Sequence, residues 1–364
     1  MSSVRAIAQQ LKLSPATVSR VINNHPDVDE TTRERVLAAI NQAGYFPSTG
    51  RLQTNVLALA YPDEPVKTEY GSFEPALLAG IMRGLDEHQF DLKLLSIRRD
   101  KTPDETYTQF FLRKGVRGVI MRVFRHNRAL ISRIASERFP CVVVAEQFDD
   151  PDVSFIRSDS YPSSRRAMEH LLSLGHKRIA LAIHHVSDSD HMDRRRAYDD
   201  AIANAGLKID PRMIFEVSAG FNAGEQVLDS MLMMPAKARP TAIFATNPMT
   251  ALGVMRRAQE RGVSIPRDLS LVGMDDSDTR LHTWPRMTAI CQDASLLGYE
   301  SANWLTRRLQ GSERGKSTTM RRLMQTTFEV NGTTAAPGGD ATEPAGKPTP
   351  ATRARRDAED SQID

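Results

Sequence analysis

The sequence predicts an α/β protein. A small head of three helices precedes a two-lobed core of doubly wound parallel sheets, and a tail without regular structure follows. Three observations carry this reading. Over residues 1–47, apolar residues recur at helical spacing in three short stretches. From residue 56 to about 332, short β-branched runs alternate with longer amphipathic stretches, the pattern of parallel sheets wound by helices. From Thr333 onward, "TTAAPGGDATEPAGKPTPATRARRDAEDSQID" has Ile363 as its sole large apolar residue, too little to order 333–364.

In the head, Val4, Ile7, Ala8 and Leu11 fall on one face of a first helix, with Ser3 at its N-cap. Ser14 caps a second helix whose first position is Pro15, where the missing N–H costs nothing. Val18, Val21 and Ile22 are its inward face, so Ala16, Thr17, Ser19, Arg20 and Asn23 point outward. Asp29 caps a third helix packed through Val36, Ile40 and Ala43 and stopped by Gly44. The tight turn between the first two helices is that of a helix-turn-helix. Residues 1–25 hold Arg5, Lys12 and Arg20 and no acid, whereas Asp27, Asp29, Glu30 and Glu34 follow at once. A basic face beside an acidic segment fits a surface turned toward phosphates.

In the core, strands are predicted at 56–61, 91–97, 117–123, 141–145, 178–183, 241–246, 269–274 and 287–292. Helices fall between most of them, for example at 74–88, 161–174, 194–205, 248–261 and 295–310. So many strands suit two lobes better than one sheet, and ligands of such folds sit at the carboxyl ends of strands.

Composition narrows the function classes. With 364 residues, 40% apolar and 26% charged, the chain has the make-up of a water-soluble protein of two or three domains. No apolar run approaches the roughly 18 residues of a membrane span, and "MSSVRAIAQQLKLS" lacks a secretory core. Cys141 and Cys291 read as reduced thiols, so the expected location is the cytoplasm. A Gly-rich phosphate loop, a nucleophile elbow and metal-ligand spacing of Cys and His are all missing from the sequence. No enzyme activity, cofactor or metal is therefore expected. His184, His185 and His191 share a loop without a matching partner set.

"SPATVSRVIN" (14–23) followed by "TTRERVLAAINQAGYFP" (31–47) closely resembles the DNA-binding head of the lactose/purine-repressor family. The resemblance continues through "DSYPSSRRAMEHLLSLGHKRIAL" (159–181), "PTAIFATNPMTALGVMRRAQERGVSIPRDLSLVGMDD" (240–276) and "MTAICQDASLLG" (287–298). It implies a homodimer whose head (1–47) binds double-stranded operator DNA. Its core (56–332), similar to periplasmic sugar-binding proteins, would bind a small effector, expected to be a sugar or related polyol. Lobe one would be about 56–174 and 292–322, and lobe two about 175–291 and 323–332, with three crossovers as a hinge. The tail would occupy 333–364.

For the head, the resemblance places sequence choice at Pro15, Ala16 and Arg20, of which Arg20 alone can pair bidentately with guanine. Ser3, Ser14, Thr17, Ser19 and Asn23 are assigned to phosphates. The link 48–55 is about five residues shorter than the family's common form, with Gly50 in its middle. Leu52 there is either a minor-groove wedge or a tether residue. For the core, it implies effector contacts from Phe73, Asp159, Arg194, Phe221, Asn247, Asp275 and Gln292. Arginine and aspartate converging on a cleft suit a polyhydroxylated ligand. The family's usual acid after Asn247 is here Pro248. The functional expectation is a ligand-responsive transcriptional regulator, with repression the expected sign. The alternative is a cytosolic sugar sensor whose head no longer binds DNA.

Overall fold

The computed structural model describes residues 4–22, 25, 27–43, 55–63, 72–185, 188–311 and 319–338. Ser3, Asn23, Gly44, Leu52, nearly all of the 48–55 link and the tail from 339 lie outside these residues.

The head consists of α1 (Val4–Leu11), α2 (Pro15–Ile22) and α3 (Glu30–Ala43). Ile7, Ala8, Val18, Val21, Val36 and Ile40 meet in one buried cluster, as their spacing requires. Ser14 Oγ accepts the Thr17 N–H at 3.0 Å, and Asp29 Oδ1 accepts the Thr32 N–H at 2.9 Å, so both N-caps form. Three residues join α1 to α2. Lys12 turns the chain at φ 55°, and Leu13 N–H returns to the Ala8 carbonyl at 2.9 Å.

The first sheet contains β1 (Val56–Tyr61), β2 (Asp91–Ser96), β3 (Gly118–Arg122), β4 (Cys141–Val144), β5 (Phe155–Asp159) and β11 (Arg321–Gln325). Its order is β11-β5-β4-β3-β1-β2, and every pairing is parallel. Its helices are α4 (Phe73–Asp86), α5 (Ile97–Asp100), α6 (Tyr107–Arg113), α7 (Ala129–Ser136) and α12 (Ala294–Gln310). Alternation along β1 sends Leu57 and Leu59 to the α4/α12 side, while Ala58 and Ala60 face the side of α6.

The second sheet contains β6 (Ile179–His184), β7 (Ile214–Val217), β8 (Ala242–Ala245), β9 (Ser270–Asp275), β10 (Thr288–Cys291) and β12 (Thr327–Glu329). Its order is β12-β10-β9-β8-β6-β7, parallel except for β12 on β10. The helices α8 (Ser160–Ser173), α9 (Ser189–Asn204), α10 (Phe221–Met233) and α11 (Pro248–Glu260) cover it.

Two expected boundaries shift. Helix α8 buries Ala167, Met168 and Leu171 with the second sheet's core, so the chain changes lobes at Asp159–Ser160 rather than at 174. Strand β11 pairs with β5, which moves the last crossover to Thr326 rather than 322. The two crossings are stitched together: Thr326 Oγ1 donates to the Asp159 carbonyl at 2.9 Å, and Ser163 Oγ to the Thr326 carbonyl at 2.8 Å.

The expected start of the unstructured tail at 333 is also corrected. Thr333 and Ala335 are buried, Leu271 N–H donates to the Thr333 carbonyl at 2.8 Å, and His176 Nε2 bonds the Ala335 carbonyl at 2.9 Å. Backbone groups of this segment complete the pairing beside β9, a role that side-chain composition does not report.

Candidate ligand pocket

A narrow recess with a cavity volume of about 30 Å³ lies between the lobes, at the strand ends where such folds take their ligands. It is lined from the carboxyl ends of both sheets: Arg122 ends β3 and His184 ends β6, while Thr246, Asp276 and Gln292 follow β8, β9 and β10. Phe73 and Phe124 add aromatic walls, and Ala145, Ala219 and Pro248 add small apolar surface.

Arg194 enters on the first turns of α9 and is 3% exposed. One terminal nitrogen donates to the Thr246 carbonyl at 3.1 Å and the other to Gln292 Oε1 at 3.0 Å. Its Nε–H has no hydrogen-bond partner among the described residues. Gln292 Nε2 then donates to Asp276 Oδ1 at 2.5 Å, and Ser72 Oγ donates to Asp276 Oδ2 at 3.0 Å. An ordered polar chain thus runs from lobe two to lobe one along one wall. Burial pushes the Asp276 carboxyl above its ordinary pKa, against the pull of Gln292, Arg194 and Ser72.

The opposite wall is ionic. Arg122 lies between Phe73 and Phe124, its guanidinium 5.2 Å and 4.4 Å from the ring centres. It donates to Glu74 at 3.0 Å and to Asp188 at 3.0 Å. Burial would strip its proton, but Asp188 and Glu74 more than reverse that and keep it charged. Asp188 also accepts His191 Nδ1–H at 2.7 Å. Burial pushes Asp188 upward, yet His191, Arg122 and Arg194 hold it well below the usual carboxylate range. The cost falls on Asp190, which burial and the Asp188 charge push up to about 7. Among the described residues no three His, Cys, Asp or Glu side chains converge as metal ligands would.

Of the residues the sequence assigned to the effector, Phe73, Arg194, Asn247 and Gln292 line this recess. Three do not. Asp275 turns away and accepts from Thr279 N at 3.0 Å, Arg280 N at 3.2 Å and Arg280 Nη1 at 2.8 Å, organising the loop after β9. Its neighbour Asp276 takes the wall position. Phe221 is half-buried under the Arg256 guanidinium, 5.6 Å from its ring, and Ala219 lines the recess instead. Asp159 sits at the lobe crossing, where its carbonyl is the group in use.

Sequence reasoning missed Arg122, Phe124, Asp188, Asp190 and Asp276 as pocket residues. Arg122 did leave a signal, a lone charge inside the apolar run "GVIMRVF". Asp188 had the look of an ordinary helix cap, which it also is, accepting His191 N at 3.0 Å.

On the head, Pro15, Ala16, Ser19 and Arg20 are exposed on one helix, as a DNA-reading surface requires. Ser14 and Thr17 bond each other at 2.8 Å within the cap.

A helix-turn-helix head joined to a two-lobed core with a polar cleft defines a ligand-responsive, DNA-binding transcriptional regulator. Residues 3–48 match the family described as bacterial regulatory proteins, lacI family, and residues 168–333 match the periplasmic binding protein-like domain. The head thus matches the lacI family, and over most of its length the chain is similar to regulators of that family. It is 28% identical over 324 residues to the transcriptional regulator DegA of Bacillus subtilis, covering 86% of this chain and 94% of that protein. It is 26% identical over 348 residues to the transcriptional repressor CytR of Escherichia coli, covering 92% and 97%. Among solved structures, the transcriptional regulator CelR–cellobiose complex superposes with TM-score 0.64 at 25% identity, covering 91% of this chain and 99% of that one. A LacI-family regulator from Enterococcus faecium with bound ribose superposes with TM-score 0.65 at 25% identity, covering 77% and 99%. The match across the head argues against a sensor that has lost DNA binding.

Proposed function

We propose that this regulator is a cytoplasmic homodimeric repressor whose effector is a polyhydroxylated molecule of sugar size, held in the interlobe recess by Arg194. The observation that carries the reading is the Arg194 guanidinium. It is buried at the pocket wall, oriented by Thr246 and Gln292, with its Nε–H lacking a partner among the described residues. A buried donor of this kind gains most from a ligand hydroxyl or ring oxygen. Phe73 and Phe124 offer apolar faces to the ring, and Asn247 and Asp276 offer further polar contacts. The cellobiose and ribose in the two superposed regulators support the same chemical class. Among the described residues no helix is long and apolar enough to cross a membrane, which agrees with a cytoplasmic site of action. For the dimer, lobe two exposes Trp284 (92%) and Leu281 (40%), and lobe one exposes Met82 (58%) and Leu94 (44%), apolar surface suited to a second copy.

The test joins a thermal-shift screen of sugars and nucleosides to gel shifts on the DNA upstream of the coding sequence. A hit should raise the melting temperature and change operator retention, and Arg194→Met should abolish both effects while leaving ligand-free operator binding intact. Arg20→Ala should cost about 1–3 kcal/mol of discrimination between operator and random DNA. A hit that Arg194→Met still binds with equal strength would refute the pocket assignment, and sedimentation as a single chain would refute the dimer.

A further inference from the structure

The recess is closed along one side by contacts that the protein makes entirely with itself. Three groups of lobe one reach across to the first turns of α9 in lobe two. Arg122 pairs with Asp188 at 3.0 Å. Arg157, on β5, pairs with Asp193 at 2.7 Å and Asp190 at 3.3 Å. Glu146, after β4, accepts both the Ser189 N–H at 2.9 Å and the Ser189 hydroxyl at 2.7 Å. Each arm also has a partner within its own lobe: Glu74 for Arg122, Gln147 Oε1 for Arg157 and Arg128 for Glu146. The arms are therefore held in place from one side and complete their pairing on the other. Arg122, Glu146, Arg157, Asp188, Asp190 and Asp193 are all buried.

We infer that Arg122, Glu146 and Arg157 form an interlobe latch on the start of α9 that keeps the cleft closed in the absence of effector. The inference rests on reading the cleft as the effector site and concerns its regulation. Closure here is completed by protein charges, so an effector would shift the open–closed balance only by the difference between its contacts with the two states. Access to the pocket requires the latch to part, and parting leaves the Arg157 charge with only the neutral Gln147 and Ser158 oxygens of its own lobe as hydrogen-bond partners among the described residues.

The experiment measures the distance between spin labels at Arg125→Cys on lobe one and Asn222→Cys on lobe two, in the full chain carrying Cys141→Ala and Cys291→Ala, with no sugar added. The parent should give one short, narrow distribution. Arg157→Met and Asp193→Asn should each add a longer population. The double variant Arg157→Met/Asp193→Asn should show less of it than the two single effects combined, because each change then removes a partner whose pairing the other has already broken. Asp188→Asn, which keeps an oxygen to cap α9, should open the other arm and so checks the result independently of the first pair. Circular dichroism matching the parent identifies variants that are folded. Distances unchanged in the folded single variants, or effects that simply add, would overturn the latch. Since no effector is present, a failed sugar screen beside a coupled cycle counts against the ligand reading alone.

Discussion

At Asp276 a buried carboxyl is gripped by Gln292 and Ser72, one from each side of the cleft, while Asp275 beside it is saturated by the Arg280 side chain and loop N–H groups. Adjacent residues in an extended strand end point to opposite faces, so only one of the pair can reach the recess. Asp276→Asn should weaken effector binding about tenfold or more with little change in the melting temperature of the free protein. Asp275→Asn should do the reverse, removing charge-assisted bonds at a cost of about 1–3 kcal/mol. Titration calorimetry and thermal denaturation of both variants check this. Equal effects on binding would mean that the carboxylates share the pocket. The sequence "MDDSD" contains both carboxylates and ranks neither, because the ranking depends on where Arg280 lies after its turn.

At the scale of elements, the lobes depend on helix pairs packed backbone to backbone. A Cβ on Gly298 of α12 would stand 2.1 Å from the Leu77 carbonyl oxygen of α4, and one on Gly80 would stand 1.7 Å from that of Ser295. Gly224 and Gly253 bring α10 and α11 together in the same way, each with a carbonyl oxygen 2.0 Å from its absent Cβ. Carbonyl oxygens cannot rotate aside as flexible side chains do, so the helices themselves would have to separate. Gly298→Ala should therefore cost at least about 1–3 kcal/mol, read as a lower urea midpoint with an unchanged slope. Because α12 follows the crossover at Gln292, the same change should also weaken effector response. The strand–helix order was legible from hydrophobic period alone. The assignment of α8 and β11 to their lobes was not, since period does not say which sheet an apolar face will meet.

For the whole molecule, the buried acid cluster at the start of α9 sets a pH dependence. Asp190 titrates near 7 when folded, against an ordinary carboxylate value of 3.8, because burial and then the Asp188 charge oppose its ionisation. Between those two values the folded state holds a proton that the unfolded chain has released. The stabilising contribution of Asp190 is thus complete below about pH 4 and lost as pH rises toward 7. His176 works in the opposite sense. Burial lowers its pKa, outweighing the Ala335 carbonyl, so its contribution is lost as pH falls through the histidine range. Melting temperature plotted against pH for the parent and Asp190→Asn separates them. The variant should lose the decline that Asp190 imposes between about pH 4 and 7, and parallel curves would show that Asp190 ionises normally.

The sequence by itself determined the head and the alternation of strands and helices, because caps, helical spacing and strand period are properties of neighbours along the chain. Arg194 was reached only through the resemblance to the lactose/purine-repressor family. The sequence also leaves Arg20 as the candidate reader of bases on an otherwise small and weakly donating helix surface. Only the tertiary structure decided that Asp276 rather than Asp275 enters the recess. It also showed that Thr333–Ala335 pack beside β9, and that Arg122 and Arg157 find their counter-charges on the other lobe. Each of those facts depends on groups far apart in sequence, such as Arg157 and Asp193 or His176 and Ala335, being brought within hydrogen-bond distance. Local pattern contains no term for such meetings. They follow from the way two sheets close on each other.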